Sequence, residues 1–426
     1  MKHYFIFGLM AMVTLFSCKE ESKPSEVAIP QPIKSNYGLD TLDLSKEEYY
    51  DKVLGALVGS AIGDAMGAST EMWYRTDIQK KYGYITGLTP AVRPQSAEGT
   101  WDHNLSSGAT TDDTRWKLLT VKYFTKFGSE TSPEHFADFI VEYYQSLIKD
   151  LAAEENLTST DALDHQIEKI DWIKEWARVS LAYQKGNTEY LQAMNRFYGG
   201  EMSCAGMLYT PMFGVTTSNA TEAYTKAYNH SLFDLGYAKD ISSLVAAMTN
   251  TAMQTKHMDS ILNTAVFVDP YHYQDSRLVG RISLDLATKG ENAVLDAKKL
   301  IEDKNSETLP PKGFLGSSLD WQQQEFIYQA LEDDQKAIPF HSGEIWQILF
   351  TGLKFGEGDF AKTMQFIVNY GRDNDTVAAV AGMILGAKDG YSGLPKELKE
   401  QVLQVNKEII GIDLEALAQE IAYKTH

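Results

Sequence analysis

Gly55, Gly59 and Gly63 stand four residues apart inside a run whose apolar side chains (Tyr50, Val53, Leu54, Leu57, Val58, Ala61, Ile62 and Ala65) recur at helical steps of three and four. Glycine costs about 1 kcal/mol relative to alanine at a helix-interior position. Three of them on one helix predict a second helix packed close enough to need the missing side chains. Ser45-Lys46-Glu47-Glu48, just ahead of the run, has the form of a capping box, in which Ser45 and Glu48 satisfy free N–H groups at the helix start.

Helical periodicity dominates the rest of the chain. It predicts helices near 112–127, 133–150, 170–185, 237–253, 291–303, 342–354, 359–370, 376–388 and 412–424. Alternating strand patterns are scarce. Two long segments do not read as helix: 74–110, rich in Gly, Pro and Ser, and 304–321, with Pro310-Pro311 and Gly316-Ser317-Ser318. Loops of such length in a compact domain are often functional. No second Pro-, Gly- or Ser-rich linker interrupts the chain. The expected fold is therefore all-α, a single compact multi-helix domain over 45–426 with long active-site loops.

The amino terminus is an address rather than part of that domain. Lys2 and His3 precede an apolar stretch from Tyr4 to Phe16, too short for a mature membrane span, which needs roughly 20 apolar residues. The stretch ends in Leu15-Phe16-Ser17-Cys18, which resembles a bacterial lipobox, although Phe16 is bulkier than that pattern prefers; the other reading is an ordinary signal peptide with an incidental cysteine. We expect a lipoprotein signal peptide over 1–17, lipidation at Cys18 and a flexible tether over 18–44, rich in Pro, Ser and charge. Export and lipid anchoring to the bacterial envelope, at the outer membrane, follow as expectations, with membrane contact through the anchor only. Cys204 is the one other cysteine, so a disulfide framework and a cysteine-based zinc site are excluded; it reads as a small buried residue. The formal net charge of −19 excludes a nucleic-acid partner bound through a basic face.

Two acidic clusters carry the candidate chemistry. Thr111-Asp112-Asp113-Thr114 follows a Gly-containing polar loop and opens an amphipathic helix; Asp373-Asn374-Asp375-Thr376 opens an apolar helix containing Gly382 and Gly386, which again permit close packing. Either alone can serve as a helix cap, because the helix dipole favours anions at the first turn. The second is not an EF-hand: Ala378 stands where that loop needs Gly, and Ile384 where it needs Glu. Taken together, four carboxylates in one place repel unless cations neutralise them, and their oxygens suit Mg²⁺, Mn²⁺ or Ca²⁺ better than zinc.

Three blocks, Gly63-Asp64-Ala65-Met66-Gly67-Ala68-Ser69-Thr70-Glu71, Thr111-Asp112-Asp113-Thr114, and Gly371 to Gly382 with the sequence GRDNDTVAAVAG, resemble the ADP-ribosylglycohydrolase family in content and order. The resemblance implies an all-α fold and a centre of two divalent cations, Mg²⁺ as the first choice and Mn²⁺ as the other. By position, it assigns Thr111, Asp112, Asp113, Asp373, Asp375 and Thr376 as metal ligands. Glu71 matches an acidic residue near that centre, so Glu71 and Asp112 are the catalytic candidates. Asp64 reads as a structural carboxylate rather than a catalyst. Trp101, His103 and Leu208 are candidates for the substrate pocket; Leu208 stands where many members carry Arg.

The function expected from these readings is a two-metal glycohydrolase cleaving an N- or O-glycosidic bond in a small-molecule substrate, either an ADP-ribosyl group or a related nucleoside or glycoside. The alternative from a different class is a non-catalytic, all-helical glycan-binding lipoprotein.

Overall fold

The first helix, Lys46–Gly67, is nearly buried along its length and packs most extensively against the helix Asn374–Gly393. The glycine spacing explains how. A Cβ on Gly59 would lie 2.2 Å from the Gly382 carbonyl oxygen, one on Gly63 would lie 2.0 Å from that of Ala378, and one on Gly55 would lie 2.5 Å from that of Gly386. The reverse holds too: a Cβ on Gly382 would meet the Gly59 carbonyl at 2.1 Å. The two backbones therefore touch throughout this stretch, and the partner foreseen from the glycine spacing is the helix that follows Asp373. At the top of this seam a Cβ on Gly67 would be 2.3 Å from Asp375 Cα, so the contact runs up to the second acidic cluster.

The structure, a computed structural model, describes residues 42, 44–93, 104–153, 160–304 and 308–424. Seventeen α-helices occur among them, with only short two-residue strands. The paired core helices are surrounded by Asp112–Phe127, Ala238–Gln254, Ser342–Gly356, Phe360–Tyr370 and Leu414–Lys424, and one large apolar core joins them. The fold is all-α. The expected leader and tether lie outside the described residues apart from Leu42 and Leu44. No helix among the described residues is long and apolar enough to cross a membrane.

Local capping follows the sequence in part. The Ser45 side chain accepts the Glu48 N–H at 3.1 Å. A full reciprocal box forms instead at Ser317 and Asp320, with bonds of 3.1 and 2.7 Å, and starts the helix Ser318–Asp333. The loop expected to reach 321 thus ends at Ser317. Two further expectations shift. The non-helical reading of 74–110 fails at Arg75–Tyr82, which is a helix; it is too polar to show an apolar stripe, and it is held by Ile78 in the core and by Arg75, which pairs with Glu325 at 2.7 Å and Glu332 at 2.6 Å. The helix expected over 291–303 spans Ile282–Ala297. Gly290 interrupts its pattern because a Cβ there would sit 2.3 Å from Thr351 Oγ1, a close approach to the Ser342–Gly356 helix rather than a helix boundary.

Two tiny antiparallel pairs position the site. Trp73–Tyr74 pairs with Gly371–Arg372, which ties the end of the first block to the start of the third. Ala91–Val92 pairs with Asn104–Leu105. Gly59→Ala should lower the unfolding free energy by about 3 kcal/mol, because backbone on both sides of the seam must separate. Gly87→Ala, whose Cβ would meet only Leu398 Cδ2 at 3.9 Å, should change it little. Denaturant unfolding of the two variants checks this; equal stability would contradict the backbone contact.

Candidate metal centre

Asp64, near the end of the first helix and fully buried, organises the site from below. Its Oδ1 accepts the Thr111 N–H and hydroxyl, both at 2.9 Å, and its Oδ2 accepts the Thr114 N–H at 3.0 Å and hydroxyl at 2.6 Å. One carboxylate thus satisfies free N–H groups at the start of the Asp112–Phe127 helix and fixes the loop before it. The structural reading of Asp64 holds, and its role is larger than capping its own surroundings. Asn406 does similar work from the carboxyl-terminal side: its side chain accepts the Thr110 hydroxyl and donates to Gly108 O at 3.1 Å. No sequence signal singled out Asn406, since its partner lies almost three hundred residues away.

The two acidic clusters meet in one cavity. Asp112, Asp113, Asp373, Asp375, Thr376 and Glu71 all line it. Carboxylate oxygens of Glu71, Asp373 and Asp375 come within 4.8 Å of one another, a separation that one hard cation with bonds of about 2.1–2.6 Å can span. Asp113 also lines the cavity, bonded to Lys117 Nζ at 3.1 Å and to the Thr376 hydroxyl at 3.0 Å. Thr111 lies just beneath, its hydroxyl 3.5 Å from Asp375 Oδ2. Asp375 Oδ1 is buried with no protein hydrogen-bond partner. A buried, unpartnered carboxylate oxygen on a residue that clusters with two other acids is costly unless something positive completes it, so the donor set fits a hard divalent cation.

Electrostatics agree with that fit. Burial, followed by the charges of Glu71, Asp373 and Asp113, drives Asp375 well above the usual carboxylate range. Seclusion and the neighbouring Asp113 push Asp112 up to about 7, and burial with the same neighbour pushes Asp64 to about 6. Each carboxylate is held up by loss of water and by like charge, the two penalties that a bound cation removes.

The surrounding residues hold this geometry. Arg372 adopts a left-handed φ of +65°, and its guanidinium forms a buried pair with Glu344, 3.0 Å from Nη2 to Oε2. Met72, at φ +63°, donates its N–H to the Arg372 carbonyl at 2.6 Å. Asn374 Nδ2 donates to Thr70 Oγ1 at 2.9 Å and Val368 O at 2.8 Å. Arg93 donates to the carbonyls of Glu71 at 2.9 Å and Ala68 at 3.3 Å, and lies 3.7 Å from Glu71 Oε2. Of the pocket candidates, Leu208 lines the cavity, whereas Trp101 and His103, like Cys18, lie outside the described residues. Cys204 is buried as expected, but its thiol faces the site, 3.4 Å from Asp373 Oδ2. Trp172 is core, packed edge-on to Trp116; Trp176, one turn on, reaches the cavity.

Residues 45–426 match the family model described as ADP-ribosylglycohydrolase. Over 47 residues, 11 % of this chain, the sequence is 38 % identical to "Uncharacterized protein YegU" of Escherichia coli strain K12; the match spans 14 % of that protein's length. A solved structure described as "ADP-ribosylglycohydrolase-related protein complex" is similar at a TM-score of 0.48 and 16 % identity, over 89 % of this chain and 100 % of that one.

Asp64→Asn keeps the volume but turns one oxygen into a donor that faces Thr111 or Thr114 donors. Divalent-cation affinity, measured by calorimetry with Mn²⁺, should fall by about 10–100-fold, as for other groups that orient ligands, while the helical circular dichroism persists. Unchanged affinity would remove Asp64 from the site's support.

Proposed function

The chain belongs to the ADP-ribosylglycohydrolase family, and from that premise we propose that it is a glycohydrolase whose centre holds two divalent cations, Mg²⁺ by preference and Mn²⁺ as the substitute. The bond cleaved is N- or O-glycosidic, in an ADP-ribosyl group or a related nucleoside or glycoside. The observation that carries the reading is the convergence of Glu71, Asp373 and Asp375 within 4.8 Å, in a cavity that Asp112 and Asp113 also line.

Asp373, Asp375 and Thr376 would hold one side of the metal pair, and Thr111, Asp112 and Asp113 the other. When bound, the cations supply Lewis acidity and orient sugar hydroxyls and water. The protein's own part is then positional and protonic. Glu71 is placed to move the proton that glycosidic cleavage requires, since its carboxylate faces the cluster while Arg93 fixes its backbone. Asp112 is the most accessible carboxylate of the first cluster and the second candidate for contact with substrate or water. Lys117 and Thr376 keep Asp113 in one orientation. A non-catalytic glycan-capture role is disfavoured, because capture needs no cluster of buried, mutually repelling carboxylates.

The same proposal places the protein on the bacterial envelope through a lipid on Cys18, supported by the Leu15 to Cys18 sequence and the polar stretch behind it. Cys18→Ser should move the protein from the membrane fraction to the soluble fraction; unchanged fractionation would refute the anchor.

For the activity, a screen of ADP-ribosylated arginine and serine, nucleosides and simple glycosides with Mg²⁺ or Mn²⁺ should give turnover that EDTA abolishes. Glu71→Gln should lower kcat by about 10²–10⁴-fold with cation binding weakened but not lost, because an amide oxygen still faces Asp373 and Asp375, whereas Asp112→Ala and Asp375→Ala should lose cation binding. Unaltered cation binding in both aspartate variants would defeat the metal assignment.

A further inference from the structure

We propose that Cys204 makes the acidic centre a site for one thiophilic divalent cation, of the Zn²⁺ or Cd²⁺ class. That ion binds the Cys204 sulfur and the Asp373 carboxylate together, and it displaces the hard cation that Asp373 would otherwise hold. This rests on the reading of the acids as a metal centre and adds a ligand to it.

Cys204 Sγ lies 3.4 Å from Asp373 Oδ2, and both residues line the cavity. A tetrahedral zinc, with Zn–S of about 2.3 Å and Zn–O of about 2.0 Å, holds a sulfur and an oxygen ligand about 3.5 Å apart. The pair already has the spacing of two ligands on one ion. Asp373 also belongs to the cluster in which oxygens of Glu71, Asp373 and Asp375 lie within 4.8 Å of one another, and Glu71 and Asp375 are candidates for the remaining ligands. Independently of the thiol, this cluster calls for a cation: Asp375 is only 2 % exposed, and its Oδ1 has no protein hydrogen-bond partner.

Sulfur changes which cation is preferred. Carboxylate oxygens alone favour hard ions such as Mg²⁺ and Mn²⁺, whereas a thiolate favours softer ones. A structural zinc site takes four Cys or His ligands, which one cysteine cannot supply. One sulfur beside several carboxylates is nevertheless enough to alter the order of affinities. Among the described residues that line the cavity, Cys204 is the one sulfur; the others are acids, hydroxyl side chains, small or aliphatic residues and an aromatic wall of Trp176, Phe197, Tyr198 and Phe340. As the sulfur–metal bond forms, the S–H bond breaks and its proton leaves to solvent. Without the soft ion the thiol is a weak donor to Asp373, and the carboxylate stays open to a hard cation.

The backbone holds the sulfur in position. Cys204 N–H donates to Phe340 O at 2.9 Å, Ser342 N–H donates to Met202 O at 2.8 Å, and Ser203 and His341 form an antiparallel bridge between them. On the other side, Asp234 Oδ1 accepts the Gly206 N–H at 2.8 Å. A donor fixed in this way loses little freedom when it binds an ion.

The test is cation binding by the full chain in a Cys18→Ser background, where Cys204 is the sole thiol. After EDTA treatment and dialysis, the chain is loaded with Mn²⁺, followed by electron paramagnetic resonance, and titrated with Cd²⁺ or Zn²⁺. Cd²⁺ should produce a sulfur-to-cadmium charge-transfer absorption in the ultraviolet that saturates at one ion per chain, and both ions should release Mn²⁺. Cys204→Ser should abolish the absorption and lower the preference for Cd²⁺ over Mn²⁺ by at least about tenfold; Cys204→Ala replaces it if the serine variant does not fold. Asp373→Asn should weaken Cd²⁺ and Mn²⁺ alike. Mn²⁺ binding without any sulfur–cadmium absorption, or a Cd²⁺ preference that survives in the Cys204 variants, would overturn the assignment and leave the hard-cation centre standing. A sulfur–cadmium absorption in a chain that binds neither Mn²⁺ nor Mg²⁺ would instead defeat the hard-cation centre and leave Cys204 and Asp373 as ligands of the soft ion.

Discussion

Direct backbone contact between the Lys46–Gly67 and Asn374–Gly393 helices sets the position of everything above it. With glycine at 55, 59, 63 and 67 on one side and at 382 and 386 on the other, carbonyl oxygens occupy the space where side chains would stand. The two helices are more than three hundred residues apart in sequence, yet the seam brings Asp64 and Glu71 from one block to Asp373 and Asp375 from the other. A larger separation between the helices would leave the carboxylates too far apart to share a cation, so the cost of helical glycine is offset by the geometry it permits.

Onto this seam the structure hangs the third component, the Asp112–Phe127 helix, through one side chain. Asp64 accepts four hydrogen bonds from Thr111 and Thr114, and Asn406 steadies the preceding loop. Charge-assisted bonds to a buried carboxylate are stronger than neutral ones, which suits a group that must hold two acids close to others that repel them. The strained pair Met72 and Arg372, the latter tied to Glu344, joins the end of the first block to the residues leading into the second cluster. Backbone strain of this kind persists only where surrounding contacts over-determine it.

The cavity beside the cluster gives the site its chemical bias. The acids create demand for cations and for hydroxyl donors, and the aromatic wall with Leu208 supplies a planar apolar surface. Among the described residues, Lys117 pairs with Asp113 and Arg93 donates to the Ala68 and Glu71 carbonyls.

Much of this was legible in the residues themselves. Glycine spacing announced a close helix pair, 3.6-residue periodicity announced an all-α fold, and paired acids at two helix starts announced a shared site. These signals are local, or repeat locally, because they reflect the needs of a single helix. Distant partners decided the features that no such signal marked. The polar Arg75–Tyr82 helix is invisible to apolar periodicity because it is anchored by Glu325 and Glu332. Gly290 breaks the Ile282–Ala297 pattern because it faces Thr351. Cys204 and Trp176, which have the sequence character of core residues, reach the cavity because the 202–204 segment pairs with 340–342 and Trp176 wedges between Trp116 and Phe233. By itself, then, the sequence determined the helical class, the close seam and the acids available for cations. Only the tertiary structure decided which acids meet, what holds them there and what surface the substrate encounters, because those depend on contacts between residues that no local pattern relates.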